Sequence, residues 1–331
     1  MKWTHPSKSE AILFLPKLQK TERINFETIQ KAPNNVAIPV SDSFIDAWIT
    51  PPQNSFSKEE LSHNLNIVGQ TLGDLVKTVH TPHSEEKSAP HDKVTLFDEG
   101  IEMLVRIWLQ MHYPEHKIIG EEGAKHQLDI NDTIWFIDPI DGTANFIENK
   151  DNYSIHIGSI KNGQPYVSFV GIPKKNHYFC DYKTEIKPYK APTHLTLCTE
   201  HFPHQKSKAK RFELLLNTLN AKPVQNHSIG ISTIGLLEGE ITAFYKDNLK
   251  LWDIIAPLCF LKFYQDSVWD IQLRYLHPET KKTVTTSPFS NDESYINFLN
   301  IIHKQDCRTG LLTITPKDNH IILEEILNAF L

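Results

Sequence analysis

Residues 133–146, TIWFIDPIDGTANF, constrain this chain more than any other stretch. Thr133 to Ile137 are β-branched or aromatic throughout, the pattern of a buried strand, and the strand delivers Asp138 at its end. Asp141 follows after Pro139 and Ile140, and Gly142 and Thr143 come at once. Two carboxylates so close at a strand end repel each other unless positive charge lies between them. Divalent cations held by oxygen ligands meet that need. ANFIEN reads as the start of a helix, and backbone N–H groups at a helix start opened by glycine suit a phosphate. Taken alone, a strand ending in a Pro-Asp-Gly turn accounts for the same letters.

The patterns around this strand predict a layered α/β protein. Ser57 and Glu60 form a capping box, with Phe56 and Leu61 at the hydrophobic-staple positions. Leu61, Leu65, Val68, Leu72, Leu75 and Val79 then recur at helical spacing, which predicts a helix over 58–80. A second helix is expected over 98–112, with Ile101, Leu104, Val105, Trp108 and Leu109 on one face. Strands are expected at 117–120, 133–138, 153–160, 165–172 and 177–183, with an Asn162-Gly163 hairpin turn between the third and fourth. From residue 191 strands and helices alternate: strand 194–198, helix 208–220, strand 241–245, helix 253–264, and helices near 291–304 and 321–331. The expected organisation is an irregular, proline-punctuated extension over 1–56, an α+β domain with an antiparallel sheet over 57–190, and an α/β domain over 191–331.

The chain's 331 residues are enough to bury a large core without disulfides or structural zinc. Lys and Arg total 34 against 40 Asp and Glu, a net charge of −6 that argues against binding a nucleic-acid polymer through bulk charge. No run of about 18 apolar residues exists to span a membrane. The short AILFLP run near the start is broken by Pro16 and makes a poor signal peptide. Cys180, Cys198, Cys259 and Cys307 form no CxxC pair, so a reducing, cytoplasmic location is expected.

Three more stretches place carboxylates at the ends of elements. IIGEEG (118–123) ends a short strand in Glu121 and Glu122, KLWDIIAP (250–257) starts an apolar helix with Asp253, and DKVTLFDEG (92–100) carries Asp98 into the second helix. Each has a plain structural reading: solvated strand-end glutamates, a helix cap, a first-turn acid facing the helix dipole. His80, His83 and His91 share a polar loop without fixed ligand spacing, and KSKAKR (206–211) reads as a solvated helix start. No GxSxG or Cys-x₅-Arg loop offers a nucleophile, and oxygen-only ligands favour Mg²⁺ over zinc or copper.

Together these stretches carry a resemblance. Lys87 ahead of DKVTLFD, then GEE (120–122), DPIDGTANF (138–146) and WD (252–253), resemble in order the motifs of the inositol monophosphatase superfamily, over about residues 57–265. The resemblance implies a layered αβαβα sandwich of the sugar-phosphatase type. It also implies a Mg²⁺-dependent, lithium-sensitive phosphomonoesterase acting on a small phosphorylated metabolite, in a family many of whose members form homodimers. Glu121, Asp138, the carbonyl of Ile140, Asp141 and Asp253 would ligate two or three Mg²⁺ ions. Thr143 with Asp98 would orient and deprotonate the attacking water, with Glu121 also serving catalysis. The N–H groups of Gly142 and Thr143 would hold the phosphate, and Glu122 and Lys87 would have supporting roles.

The later half departs from the pattern. Residues 228–248 resemble the family's Ser-x-Gly helix and following strand but run about three residues short, and the glycine-rich segment expected after the WD helix is missing from 265–290. Lys246 stands where inositol monophosphatases place a glutamate on the substrate hydroxyls. A lysine there could meet a second phosphate, and KLWDxxAP resembles the spelling of the 3′(2′),5′-bisphosphate nucleotidases. The alternatives to an inositol monophosphate-like substrate are therefore a bisphosphate nucleotidase and a catalytically silent relative that binds a phosphorylated ligand.

Overall fold

A computed structural model describes residues 12–15, 36–39, 57–77, 84–86, 93–123, 127–180, 192–199, 206–265, 268–290, 292–304 and 310–330. Lys87, His80, His83, His91 and Cys307 lie outside the described residues. The 1–56 extension, expected to be irregular, contributes an antiparallel pair, β1 (Ile12–Leu15) with β2 (Val36–Pro39). A second small pair joins β3 (Ser84–Glu86) to β4 (Lys93–Thr95).

Helix α1 spans Lys58–Lys77 and carries the expected capping box: Glu60 N donates to Ser57 Oγ at 3.2 Å, and Ser57 N donates to Glu60 Oε2 at 2.9 Å. Helix α2 spans Leu96–His112, starting two residues before the expected position. Thr95 is the reason. Its hydroxyl accepts from Phe97 N, while its own N–H donates to Asp98, so the capping box sets the boundary upstream of the apolar periodicity.

The first sheet runs in the order β5 (Lys117–Gly120), β6 (Thr133–Asp141), β7 (Ser154–Lys161), β8 (Gln164–Ile172), β9 (His177–Cys180). Asn162 and Gly163 turn β7 into β8 with φ of 50° and 72°, the positive values a two-residue hairpin needs. The expected antiparallel sheet holds except at one edge, where β5 lies parallel to β6 with Gly120 opposite Ile137. Parallel alignment brings the residues after Gly120 out at the same end of the sheet as Asp138.

The second sheet has six strands in the order β11 (Lys222–Val224), β10 (Thr196–Thr199), β12 (Ala243–Asp247), β15 (Gly310–Pro316), β13 (Trp269–Leu276), β14 (Thr283–Thr286). The remaining helices are α3 (Thr143–Ile147), α4 (Lys206–Leu219), α5 (Ile229–Leu237), α6 (Leu251–Gln265), α7 (Glu293–Lys304) and α8 (His320–Phe330).

Strand alternation divides the apolar residues into layers. Along β6, Trp135 and Ile137 join the core under α1 and α2, whereas Ile134 and Phe136 face α5 and α6. Along β12, Phe244 shares that central core, whereas Ala243 and Tyr245 face α4 and α8 with Leu215 and Ile326. The order is therefore helices, sheet, helices, sheet, helices: the expected αβαβα sandwich. Helix α6 lies directly on β7, since a Cβ at Gly158 would come within 2.7 Å of the Ala256 Cα. Cys180, Cys198 and Cys259 are buried and form no disulfide among the described residues. Among the described residues no helix is long and apolar enough to cross a membrane.

Candidate active site

Strand β6 delivers its two aspartates through an irregularity. Asp138 pairs with His156 and Asp141 with Ser154, so three steps along β6 match two along β7. In a regular strand residues three apart face opposite sides; one extra residue brings them to the same side. Pro139, which has no N–H for the ladder, stands inside the irregularity.

Asp138 is 3% exposed, and its Oδ1 is buried with no hydrogen-bond partner. Burial pushes its carboxyl well above the usual range, and the charges of Glu121, Asp141, Asp253 and Asp98 push it further. Asp253, in the first turn of α6, is pushed up to about 7 by burial and by Glu121 and Asp141, against the opposing charge of Lys246. Five acids from four separate stretches of sequence thus act on one another at the end of the first sheet. A buried carboxylate oxygen without a donor, amid other carboxylates, suits a hard cation with oxygen ligands. Among the described residues no three His, Cys, Asp or Glu side chains close on one point as a finished ligand cage. At least three of the acids already have other partners: Asp98 in Thr95 and Thr143, Asp141 in two hydroxyls and a backbone N–H, and Asp253 in an ammonium.

Asp141 Oδ2 accepts from Ser228 Oγ at 2.6 Å, Ser154 Oγ at 2.8 Å and Gly230 N at 2.9 Å. His156 Nε2 lies 3.0 Å from Ser154 Oγ and 3.4 Å from Asp141 Oδ2. Burial lowers the His156 pKa, so the ring is neutral. Ser154, His156 and Gly230 were not anticipated as site residues. Ser228, the N-cap of α5, was legible as the Ser-x-Gly start of an apolar helix.

Asp98 serves two partners at once. Its Oδ2 accepts from Thr95 N at 2.8 Å and from the Thr95 hydroxyl at 2.5 Å, while its Oδ1 lies 3.2 Å from Thr143 Oγ1. The first-turn position of Asp98 in α2 and its contact with Thr143 thus coexist. The single hydroxyl proton of Thr143 is shared between Asp98 and the carbonyl of Ile140 at 3.0 Å.

The loop 121–123 is shaped from beneath by a pair that sequence reasoning missed. Glu102, fully buried on α2, accepts from Glu122 N at 2.7 Å, Gly123 N at 2.8 Å and Arg106 Nε at 2.6 Å. A side chain at Gly120 would collide with the Glu102 carboxylate. Glu121 N donates to the Ile137 carbonyl at 3.1 Å, tying the loop to β6. The available signal was an acid and a base four residues apart within the apolar middle of a helix.

Gly142 opens α3 with φ 92°, and a Cβ there would lie 2.9 Å from the His227 carbonyl and 3.0 Å from that of Asn152. Substitution is therefore strained both in backbone and in space. Gly142→Ala is expected to cost about 1–3 kcal/mol of stability, read by urea unfolding; a change inside experimental error would remove this account of the glycine. Asn145 holds the same short helix by donating to the carbonyls of Asn152 at 2.6 Å and Asn226 at 2.8 Å.

Lys246, at the penultimate position of β12, places Nζ 3.5 Å from Asp253 Oδ2. Apart from Lys87, every residue the motifs singled out stands at this end of the first sheet or on the elements beside it.

Known proteins are similar to this chain in sequence and in fold. The model of the Inositol monophosphatase family matches residues 58–288. Inositol monophosphatase 1 of Sus scrofa is 32% identical over 188 residues, covering 51% of this chain and 67% of that protein. Nus factor SuhB of Xylella fastidiosa is 26% identical over 213 residues, covering 59% of this chain and 74% of that protein. With inositol-1-monophosphatase of Bacillus subtilis the identity is 38%, but over only 26% of this chain and 33% of that protein. Among solved structures, a staphylococcal inositol monophosphatase-1 soaked in LiCl superposes with a TM-score of 0.61 at 18% identity, covering 84% of this chain and 97% of that one. An IMPase/NADP phosphatase complexed with Mg²⁺ and phosphate superposes with a TM-score of 0.57 at 18% identity, covering 77% of this chain and 90% of that one. Such structures share the fold, and the family match begins at the first residue of α1 and runs past β14. By that extent of shared sequence, this chain belongs to the inositol monophosphatase family.

Proposed function

We propose that the chain is a Mg²⁺-dependent phosphomonoesterase that hydrolyses a small phosphorylated metabolite of the inositol monophosphate kind. Family membership supports a phosphatase. The observation that carries the finer reading is Asp138, whose buried oxygen lacks any donor while four other acids act on it. Glu121, Asp138, the Ile140 carbonyl, Asp141 and Asp253 would hold two or three Mg²⁺ ions. When bound, Mg²⁺ supplies a Lewis acid that makes a water acidic and offsets charge on the leaving oxygen.

The chain's own residues do the rest. Thr143 Oγ1 orients the attacking water, and its hydroxyl proton is directed to Asp98 Oδ1 at 3.2 Å. Asp98, buried and fixed by Thr95, receives the proton without moving. The N–H groups of Gly142 and Thr143 precede the first hydrogen bond of α3, made by Phe146 N to the Gly142 carbonyl, and are available to phosphate oxygens. Glu122 offers a backbone N–H to Glu102 and so helps hold Glu121 in place. The reduced state of Cys180, Cys198 and Cys259 fits a reducing cytoplasm.

Lys246 and the KLWDIIAP spelling favour a second reading, a 3′(2′),5′-bisphosphate nucleotidase. Phosphate release in millimolar Mg²⁺ decides between them, with inositol 1-phosphate, 3′-phosphoadenosine 5′-phosphate, fructose 1,6-bisphosphate and histidinol phosphate offered separately. Release from inositol 1-phosphate, lost with EDTA and reduced by tens of millimolar Li⁺, is the expected result. Release from 3′-phosphoadenosine 5′-phosphate alone would establish the second reading. No release from any, with the protein folded and taking up Mg²⁺, would leave a phosphate-binding relative without turnover.

A further inference from the structure

The Lys246 ammonium enters the carboxylate cluster from the second sheet. It stands on β12, where Lys246 pairs with Leu312 of β15, and reaches Asp253 at 3.5 Å across to α6. The two side chains are only 13% and 15% exposed, so water screens the pair poorly. Its charge is felt beyond that partner, opposing protonation of both His156 and His227. The positive charge is what matters at such a place, and an ammonium supplies it as a compact point.

We propose that Lys246 is a resident cation of this site, held on Asp253, so that the chain takes up one divalent ion fewer, or holds its weakest ion less tightly, than its carboxylates would otherwise allow. This rests on the metal-dependent reading above and deepens it. A divalent ion on Asp253 would sit within a few ångströms of the ammonium, and two cations on one poorly screened carboxylate repel. Unlike a bound ion, the ammonium cannot be stripped by a chelator, so part of the neutralising charge remains in EDTA. Lys246 thereby differs from an anchor for a remote substrate phosphate, which would point away from the carboxylates.

The test is isothermal titration of Mg²⁺ into the metal-stripped full chain, with Mn²⁺ uptake counted by electron spin resonance. Wild type is compared with Lys246→Met and Lys246→Arg. Lys246→Met is expected to take up one more ion per chain, or to bind its weakest ion at least about tenfold more tightly. Lys246→Arg, which keeps the charge, is expected to bind ions as wild type does. Equal numbers and affinities in wild type and Lys246→Met would overturn the proposal, as would weaker binding in the variant. If Lys246→Met does not fold, Lys246→Gln makes the same comparison. Slower turnover of doubly phosphorylated substrates with ion uptake unchanged would make Lys246 a substrate anchor and also overturn it. Wild type that takes up ions normally but releases no phosphate would defeat the phosphatase reading alone, leaving Lys246 to be judged by the titration. Wild type and variants that take up no ion would defeat both.

Discussion

Asp138→Asn is expected to silence phosphate release and yet to raise the melting temperature of the metal-free protein at pH 8. The native carboxyl titrates well above its ordinary range because it is buried among acids, whereas the unfolded one titrates near the usual value. The folded state therefore binds a proton that the unfolded state has already released. Stability in EDTA must fall as pH rises through the interval between the two values. Asp253, pushed up to about 7, adds a fall of the same sign from about pH 4 to 7. Asparagine keeps the shape and cannot ionise, so the variant escapes its own share of that fall. Thermal melts in EDTA at pH 5 and pH 8 check this: the variant's advantage should be larger at pH 8. A variant that melts at or below wild type at pH 8 would sink the account. In millimolar Mg²⁺ its turnover is expected to drop by roughly 10²–10³-fold or more, the scale on which transition-state charge stabilisation is lost.

Glu102→Ala is expected to destabilise the fold by about 3–5 kcal/mol, the cost of breaking a buried ion pair from one side. The variant strands the Arg106 guanidinium and removes the acceptor for the backbone N–H groups of Glu122 and Gly123. Glu102→Gln retains one acceptor oxygen but turns an amide N–H₂ toward a neighbouring donor, so a smaller loss is expected. Because the same carboxylate shapes the loop that carries Glu121, Mg²⁺ affinity should weaken even in the glutamine variant. Urea unfolding and Mg²⁺ titration measure the two effects separately. An alanine variant within about 1 kcal/mol of wild type would show that the pair is replaceable by water.

Sequence made the layers legible wherever one period ran unbroken. Helix α1 showed its 3.6-residue stripe and its capping box, and β6 showed a run with no polar interruption before Asp138. Strand β13 was equally patterned, with Trp269, Ile271, Leu273 and Tyr275 buried at every second position. Strand β5 was legible at 117–120 but its parallel direction was not, since KIIG has the same letters in either direction of pairing.

At the site, acids at element ends were readable because a carboxylate there is conspicuous. Their supports were not. His156 and Ser154 sit inside an apolar strand, and nothing local says that Asp141 comes back to them across a bulge. Glu102 and Arg106 stand four residues apart on α2, and only the close packing of Gly120 and Gly123 reveals which way they point. The partnership of Lys246 with Asp253 is likewise a product of topology, because β12 and α6 meet at the site only once both sheets are in place.

The face of β6, β7 and β8 that carries Ile134, Phe136, Ile160 and Ile172 is covered by residues of α5 and α6 that lie much later in the chain, Ile254 and Leu258 among them. A ribosome therefore releases the whole first sheet before it has made the helices that shield one side. For that interval a broad oily surface and four uncompensated acids of the future centre stand together on a nascent protein. The acids repel other copies while the surface attracts them. A charge-removing change at Asp138 or Asp141 would thus be felt first during synthesis, as poorer recovery of soluble protein, even where the finished molecule is the more heat-resistant one.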